Sequence, residues 1–257
     1  MSEEILQAEN LCISYKNVKA VKDVSFTLHR GEVIAVIGSN GSGKTSTAEC
    51  IEGLRKPDSG NIKVFGKDPW QHRSDLYREL GVQLQESEYR LRIKVEELCR
   101  LFAAFYERPA DWQLLLRQMG LDDKRKRFVT GLSGGERQRL SVILSLMGRP
   151  KLLIMDEVTT GLDPQVRRNI LTSFVNIKKS GTAMIVVSHY LDEAEALADK
   201  LLYLDRGEQR FFGTQNEFRE YVKGIVPPEK WQEGLSLEKL YLMTAPADPG
   251  ITMEGII

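Results

Sequence analysis

Short apolar runs alternate with helical patterns along the chain, which is typical of an α/β architecture. The runs "GEVIAVIG" (31–38), "KLLIMDE" (151–157) and "TAMIVVSH" (182–189) are almost continuously apolar. Such runs are expected of central parallel strands that are covered on both faces. "KLLYLDRG" (200–207) predicts a further strand that ends in a turn. We therefore expect a mainly parallel sheet.

The N-terminal segments follow a different pattern. "ILQAENLCISY" (5–15) and "VKDVSFTLHRG" (21–31) alternate between apolar and polar positions. Alternation of this kind predicts antiparallel strands with one exposed face. An antiparallel β region should therefore precede the parallel core.

The pattern becomes helical in the middle of the chain. "VEELCRLFAAFYE" (95–107) and "DWQLLLRQMG" (111–120) carry apolar residues at three- and four-residue spacing. Asp111, after Pro109, begins the second helix, and Gly120 ends it. We interpret residues 86–150 as a helical lobe inserted into the core.

The predicted organisation is one ATPase-sized domain followed by a tail. The domain covers residues 1–223, and the tail covers residues 224–257. The tail begins with a linker rich in Pro, Gly and charge, and its "SLEKLYLMT" (236–244) predicts a short helix.

Composition narrows the class of protein. A hydrophobic content of 42% and a charged content of 28% are ordinary for a globular protein, and the formal net charge is zero. We therefore expect no binding to nucleic acid, and the basic run at 124–127 should be a solvated loop. The three cysteines form no CxxC or Cys/His cluster, and no run approaches the ~18 apolar residues of a membrane span. These features predict a cytoplasmic chain without an anchor of its own.

The segment "GSNGSGKT" (38–45) follows a predicted strand and opens a helix, which is the context of a P-loop. Glycines let the backbone turn towards phosphates, so that successive N–H groups and the helix dipole point at them. Lys44 should reach the β and γ phosphates, and the Thr45 hydroxyl should bind Mg²⁺. The predicted nucleotide-binding residues of this loop are Gly38, Ser39, Asn40, Gly41, Ser42, Gly43, Lys44, Thr45 and Ser46.

Two acids follow the buried run "KLLIM". Asp156 lies at the carboxyl end of the predicted strand, where ligands collect in such sheets, and it is a candidate Mg²⁺ ligand. Glu157 is a candidate general base for an attacking water. A small-molecule kinase would not need this second acid, and the sequence has no NKxD element of the kind that reads guanine in GTPases.

The stretch "LSGGERQRL" (132–140) looks like a second helix start able to hold an anion. Taken alone, Ser133 and Glu136 are equally compatible with a simple helix cap. The order of "GSNGSGKT", "LSGGERQRL", "MDEVTTGLDP" and "VVSHY" decides the family: the chain resembles an ATP-binding-cassette (ABC) ATPase over roughly residues 4–223.

This resemblance implies ATP and Mg²⁺ as ligands and assigns further roles. Tyr15 would stack on adenine, although a lone strand aromatic is more often part of a core. Gln85 would sense Mg²⁺ and water and hinge the helical lobe. His189 would contact the γ-phosphate, although a histidine at a strand end is more often structural.

The resemblance also implies that two cassettes pair head to tail. Ser133, Gly134, Gly135 and Glu136 would then complete the nucleotide site of the opposite subunit. Asp163 would also belong to the nucleotide-binding set. Where the family usually has proline after the catalytic glutamate, this chain has Val158, which we expect to loosen that turn slightly and to slow turnover.

The implied partners are a second ABC ATPase subunit, identical or different, and separate integral-membrane permease subunits. Residues Glu86 to Val95 would face the permease, and the tail is similar to the exporter branch that includes drug and lantibiotic efflux systems. A non-transport ABC ATPase acting on ribosomes or DNA is the alternative. A regulatory module without turnover is disfavoured, because Glu157, Gln85 and His189 are all present.

Overall fold

We describe the protein from a computed structural model, which covers residues 3–83, 92–156, 158–159, 162–188 and 190–244. Within these ranges the chain forms nine strands and nine α-helices, together with three short 3-10 turns. The strands are β1 (Glu4–Tyr15), β2 (Val18–His29), β3 (Val33–Ile37), β4 (Ser59–Val64), β5 (Leu80–Gln83), β6 (Leu152–Asp156), β7 (Ala183–Val187), β8 (Lys200–Asp205) and β9 (Glu208–Thr214). The helices are α1 (Lys44–Ile51), α2 (Arg73–Leu76), α3 (Val95–Ala103), α4 (Trp112–Gln118), α5 (Gly134–Ser145), α6 (Pro164–Lys179), α7 (Leu191–Leu197), α8 (Gln215–Ile225) and α9 (Leu237–Thr244).

A single sheet joins the strands in the order β4-β1-β2-β9-β8-β3-β7-β6-β5. From β8 to β5 all neighbours are parallel, which confirms the parallel core predicted from the apolar runs. Every residue of β3 and β7 is buried. Ile34 of β3 packs into one apolar cluster and Val33 into another, so the strand is covered on both faces.

The other half of the sheet is mixed. β1 pairs antiparallel with β2 and with β4, as the alternating N-terminal pattern predicts for the first two strands. β9 pairs antiparallel with β8 and parallel with β2, and so joins the two halves. The predicted fold class is therefore confirmed, with β4 and β9 added by pairing that no local pattern announced.

The helices between β5 and β6 pack around one apolar cluster. Residues of α3, α4 and α5 share this cluster with Leu153 and Met155 of β6. Asp111 caps α4 as predicted, since its carboxylate accepts hydrogen bonds from the backbone N–H groups of Gln113 and Leu114 at 2.9 and 3.1 Å. The cluster thus fixes the helices against the sheet.

The basic run at 124–127 is only partly the solvated loop that we expected. Lys124 forms an ion pair with Asp123 at 2.9 Å and approaches Glu136 at 3.8 Å. The Arg125 guanidinium lies 5.4 Å from the centre of the Trp112 ring. Two of the four cations are therefore half-buried, because opposite charge and an aromatic face lie next to them.

The described part of the tail packs on the core. Leu237 and Leu240 of α9 are buried in an apolar cluster with Phe218 and Val222 of α8. The Tyr241 ring lies 5.3 Å from the ring of Tyr203 on β8. The division of the chain at residue 223 stays a prediction, but the tail as far as Thr244 contributes to a shared core.

All three cysteines are free thiols. Burial raises the pKa of the Cys50 and Cys99 thiols to about 12, so both remain protonated at neutral pH and are poor nucleophiles. No helix within the described ranges combines the length and the apolar character needed to cross a membrane.

We predict that α9 stabilises the domain through Leu240. Leu240 is 0% exposed, whereas Leu242 on the same helix is 65% exposed. Leu240→Ala should lower the free energy of unfolding by about 2–5 kcal/mol, because it removes buried contacts and leaves a cavity. Leu242→Ala is the matched control and should change stability by less than about 0.5 kcal/mol. Equal effects of the two substitutions in urea titrations would contradict the packing role of α9.

Candidate nucleotide-binding site

The predicted functional segments follow strands that end at the same edge of the sheet. Val36 of β3 pairs with Val187 of β7, and Val187 pairs with Asp156 of β6. Gln83, the last residue of β5, pairs with Met155. Because all these strands are parallel, their carboxyl ends meet at one edge, where ligands bind in such sheets.

The P-loop connects β3 to α1 through three glycines with positive φ: +150° at Gly38, +74° at Gly41 and +104° at Gly43. A Cβ on Gly38 would overlap the carbonyl oxygen of Leu204, and one on Gly43 would lie 2.5 Å from the carbonyl oxygen of Ala20. Only glycine fits these two positions. The loop is therefore fixed in shape by its neighbours as well as by its own turns.

Lys44 is buried against this loop. Its ammonium group donates hydrogen bonds to the carbonyl oxygens of Gly38 and Ser39, both at 2.9 Å. The Ser42 hydroxyl oxygen is buried and has no hydrogen-bond partner in the described part of the protein. α1 has no side-chain cap and no acidic residue in its first turn, so its positive end is not neutralised there. This combination fits a phosphate group.

The hollow in front of the loop has a volume of about 550 Å³ and brings most of the predicted binding residues together. It is lined by Tyr15, Val18, Lys19, Ala20, Asn40, Gly41, Ser42, Gly43, Lys44, Thr45, Ser46 and Arg206. Val18, Lys19, Ala20 and Arg206 were not predicted, because they come from distant strands and turns. A larger groove of about 670 Å³, between α4, α5 and α6, contains none of the predicted site residues.

Tyr15 lies at the rim of this hollow. Its side chain is 43% exposed, so it is a surface aromatic and not part of the core. Its hydroxyl donates to Glu49 at 2.8 Å and accepts from Ser46 at 3.3 Å. The Arg55 guanidinium lies 3.8 Å from the ring centre and covers one face. The ring is thus held upright beside the P-loop, and stacking on adenine stays a prediction.

Thr45 and Asp156 are the predicted Mg²⁺ ligands within the described residues. Thr45 is exposed at the start of α1, and Asp156 is partly exposed at the end of β6. No group of three His, Cys, Asp or Glu side chains in the described ranges is arranged to hold a metal. A hydroxyl and a carboxylate suit Mg²⁺, which keeps several waters and takes phosphate oxygens as ligands. Binding of Mg²⁺ at these two residues stays a prediction.

Glu52 is an acid near this edge that the sequence analysis missed. It is buried after the end of α1, and burial, with the charges of Asp156 and Glu49, raises its pKa to about 7. Its residue type was a usable signal, because it continues the buried face of α1 formed by Ala48 and Ile51. At neutral pH about half of the Glu52 carboxyl groups therefore carry a proton.

The stretch from Ser133 to Glu136 forms a complete capping box. The Ser133 hydroxyl accepts from the Glu136 N–H at 3.2 Å, and the Glu136 carboxylate accepts from the Ser133 N–H at 2.8 Å. That backbone hydrogen bond holds the pKa of Glu136 below its usual range. The capping interpretation is thus correct. It leaves the hydroxyl hydrogen of Ser133 available to a ligand, because the cap uses only the oxygen.

Gly134 and Gly135 differ in their surroundings. A Cβ on Gly135 would touch Leu162 and Val166 at 3.5 Å, whereas a Cβ on Gly134 would meet nothing within 4 Å. Gly134 begins α5 without a positive φ, and glycine costs a helix up to about 1 kcal/mol relative to alanine. Nothing in the described chain requires a glycine at residue 134.

Asp163 caps α6. Its carboxylate accepts hydrogen bonds from the N–H groups of Gln165 and Val166 at 3.1 and 3.0 Å. The predicted contact of Asp163 with nucleotide therefore remains a prediction, beside this observed structural role. Val158 is buried in the cluster that contains the lobe helices, so its side chain is anchored even without the proline ring.

Three predicted catalytic residues, Gln85, Glu157 and His189, lie outside the described residues. Their roles stay predictions. The structure describes the chain on one or both sides of each: Gln83 at the end of β5, Asp156 and Val158 around Glu157, and Ser188 and Tyr190 around His189.

We predict that Glu52 makes the stability of the fold depend on pH. Because its pKa is raised from 4.5 to about 7 in the folded state, the folded protein holds a proton that the unfolded chain releases in this window. Stability should therefore fall as the pH rises from about 4.5 to about 7, by roughly 3 kcal/mol in total. Glu52→Gln should flatten this slope in urea titrations. Glu107→Gln, at an exposed site, is the control; parallel curves for Glu52→Gln and the unsubstituted protein would contradict the assignment.

Comparison with known proteins agrees with the geometry. The family model described as "ABC transporter" matches residues 21–160, which is more than half of the chain. The linearmycin resistance ATP-binding protein LnrL of Bacillus subtilis is 34% identical over 86% of this chain and 72% of its own length. The Nod factor export ATP-binding protein I of Ralstonia nicotianae is 32% identical over 99% of this chain and 80% of its own length.

An importer component and a solved structure are also similar. The methionine import ATP-binding protein MetN of Rhizobium johnstonii is 32% identical over 80% of this chain and 60% of its own length. A solved ATP-binding subunit of an ABC transporter superposes with a TM-score of 0.83 at 27% identity, covering 94% of this chain and 100% of that structure. The chain therefore belongs to the ABC transporter ATPase family, whose members bind and hydrolyse ATP.

Proposed function

We propose that this chain hydrolyses ATP to drive export of a substrate through separate permease subunits. Two relatives, of which the chain covers 72% and 80%, are named for resistance and for export. The Rhizobium johnstonii relative named for methionine import is covered over only 60% of its length. In this proposal the chain lies at the cytoplasmic face of the membrane, attached to the permease.

The proposed chemistry divides between binding and hydrolysis. Lys44 and the N–H groups of the P-loop bind the β and γ phosphates, and Tyr15 stacks on adenine with Arg55 behind it. Thr45 and Asp156 would hold Mg²⁺, which neutralises charge on the phosphate oxygens. Glu157 accepts a proton from the attacking water, while Gln85 and His189 orient the water and the γ-phosphate. Asp163, at the start of α6, would complete the nucleotide-binding set.

Dimerisation follows from the second helix start, and Gly134 is the observation that carries it. Ser133 and Gly134 are exposed at the positive end of α5, and a side chain on Gly134 would clash with nothing in this chain. We infer that the space is used by the γ-phosphate and P-loop of a second cassette. ABC ATPase cassettes dimerise and work with membrane permease subunits, which agrees with this use.

We predict that Gly134→Leu separates folding from dimerisation. The substitution keeps the capping box and favours the helix, so the melting temperature and the ATP affinity of the monomer should not fall. In a Glu157→Gln background, which should trap ATP, size-exclusion chromatography with ATP should show dimers when Gly134 is retained and only monomers when Gly134→Leu is added. Lys44→Ala should bind no ATP in calorimetry and form no dimer. ATP-dependent dimers of the Gly134→Leu variant would refute the proposed half-site.

We predict that a permease recruits this chain to the membrane and stimulates its ATPase activity. The test co-expresses the chain with the polytopic membrane protein encoded beside it and reconstitutes the complex in liposomes. ATP outside the liposomes should then drive substrate into their lumen, which corresponds to export, and Glu157→Gln should abolish the transport. Uptake in the opposite direction would identify an importer, and an adjacent ribosomal or repair gene in place of a permease would favour the non-transport alternative.

A further inference from the structure

A buried carboxylate connects three segments that flank the proposed catalytic residues. Glu193, on α7, is 2% exposed. One carboxylate oxygen accepts hydrogen bonds from the Thr159 hydroxyl and, at 2.7 Å, from Arg167 Nε. The other oxygen accepts from the Ser188 hydroxyl at 2.8 Å.

These partners lie next to the predicted functional residues in the sequence. Thr159 comes two residues after Glu157, and Ser188 directly precedes His189. Arg167 lies one helical turn after Asp163, the cap of α6. Glu193 therefore contacts, through one group, the segments after β6 and β7 and the first turns of α6.

The contacts are fixed on each side by further bonds. The Tyr190 N–H donates to Ser188 Oγ at 3.0 Å, which orders the chain on the far side of His189. The Arg167 guanidinium lies 4.1 Å from the centre of the Tyr190 ring and also pairs with Asp192. Burial would lower the pKa of Arg167, but the hydrogen bond and charge of Glu193, together with Asp192, keep that pKa above its ordinary value.

A carboxylate suits this position for a simple reason. It offers only acceptor sites, and it is surrounded by two hydroxyl groups and a guanidinium, which all donate. A buried ion pair contributes little net stability compared with apolar packing, because both charges lose their hydration. Stability alone therefore does not account for a charge that joins these particular segments.

We propose that Glu193 is a positioning residue for ATP hydrolysis, which holds the segments carrying Glu157 and His189 in one arrangement and couples them to α6. The proposal rests on the roles assigned to Glu157 and His189 under the proposed function. Misplacement of a reacting group by about 1 Å costs a rate on the order of a hundredfold, so small shifts of these segments are sufficient.

Glu193→Gln tests this in the full chain. The turnover number should fall on the order of ten- to a hundredfold, while the KM and the dissociation constant for ATP stay within about twofold. The matched control is Glu195→Gln on the same helix, because Glu195 also pairs with an arginine, Arg219 at 3.1 Å, away from these segments. Glu195→Gln should leave the turnover number within about twofold.

A second variant separates positioning from stability. The double substitution Arg167→Gln with Glu193→Gln removes both buried charges and should restore the melting temperature, while turnover stays low. Thr159→Val removes one donor without leaving a buried charge, and it should lower turnover severalfold even if Glu193→Gln fails to fold.

Two results would overturn the inference: normal turnover of Glu193→Gln or of a folded Thr159→Val, or turnover that recovers with melting temperature in the double variant. Glu157→Gln is measured in parallel. If Glu157→Gln hydrolyses ATP normally, the proposed base is wrong; if it is inactive while Glu193→Gln is normal, only the positioning role fails.

Discussion

The parallel register of β3, β7 and β6 is the constraint on which the site depends. Val36, Val187 and Asp156 are neighbours across these three strands, so the P-loop and the metal-binding carboxylate leave the sheet at the same level. A slip of one residue would turn each strand's buried side chains to the opposite face and move its end by about 3.3 Å. The apolar clusters on both faces oppose such a slip. The hydrophobic core therefore sets the geometry of the charged site.

The same contacts explain what the sequence could predict. The apolar runs predicted the parallel strands because a strand with no polar face must be covered on both sides, as β3 and β7 are. The P-loop was predictable because its residue types are required by local turns. Glu52, Arg55 and Glu193 were missed as parts of the site, since their roles depend on side chains brought together by the fold. Residues 159 and 193 are far apart in the sequence, and no local pattern pairs them.

Lys44 illustrates how the loop is stable before any phosphate is bound. Its ammonium group is held by two carbonyl oxygens of the loop that it serves. Binding a nucleotide therefore replaces or shares existing hydrogen bonds, and only the difference contributes to affinity. The charge of a phosphate makes that difference favourable, because hydrogen bonds between ionised groups are roughly twice as strong as those between neutral groups.

The capping box at Ser133 and Glu136 has a consequence for the rate at which cassettes join. Its two reciprocal hydrogen bonds order the start of α5 in the single chain. Two cassettes that meet thus present this surface in a finished form, and no loss of loop entropy accompanies their contact. Association of such surfaces is limited by orientation and encounter. The slow event in a working cycle would then be separation of the pair.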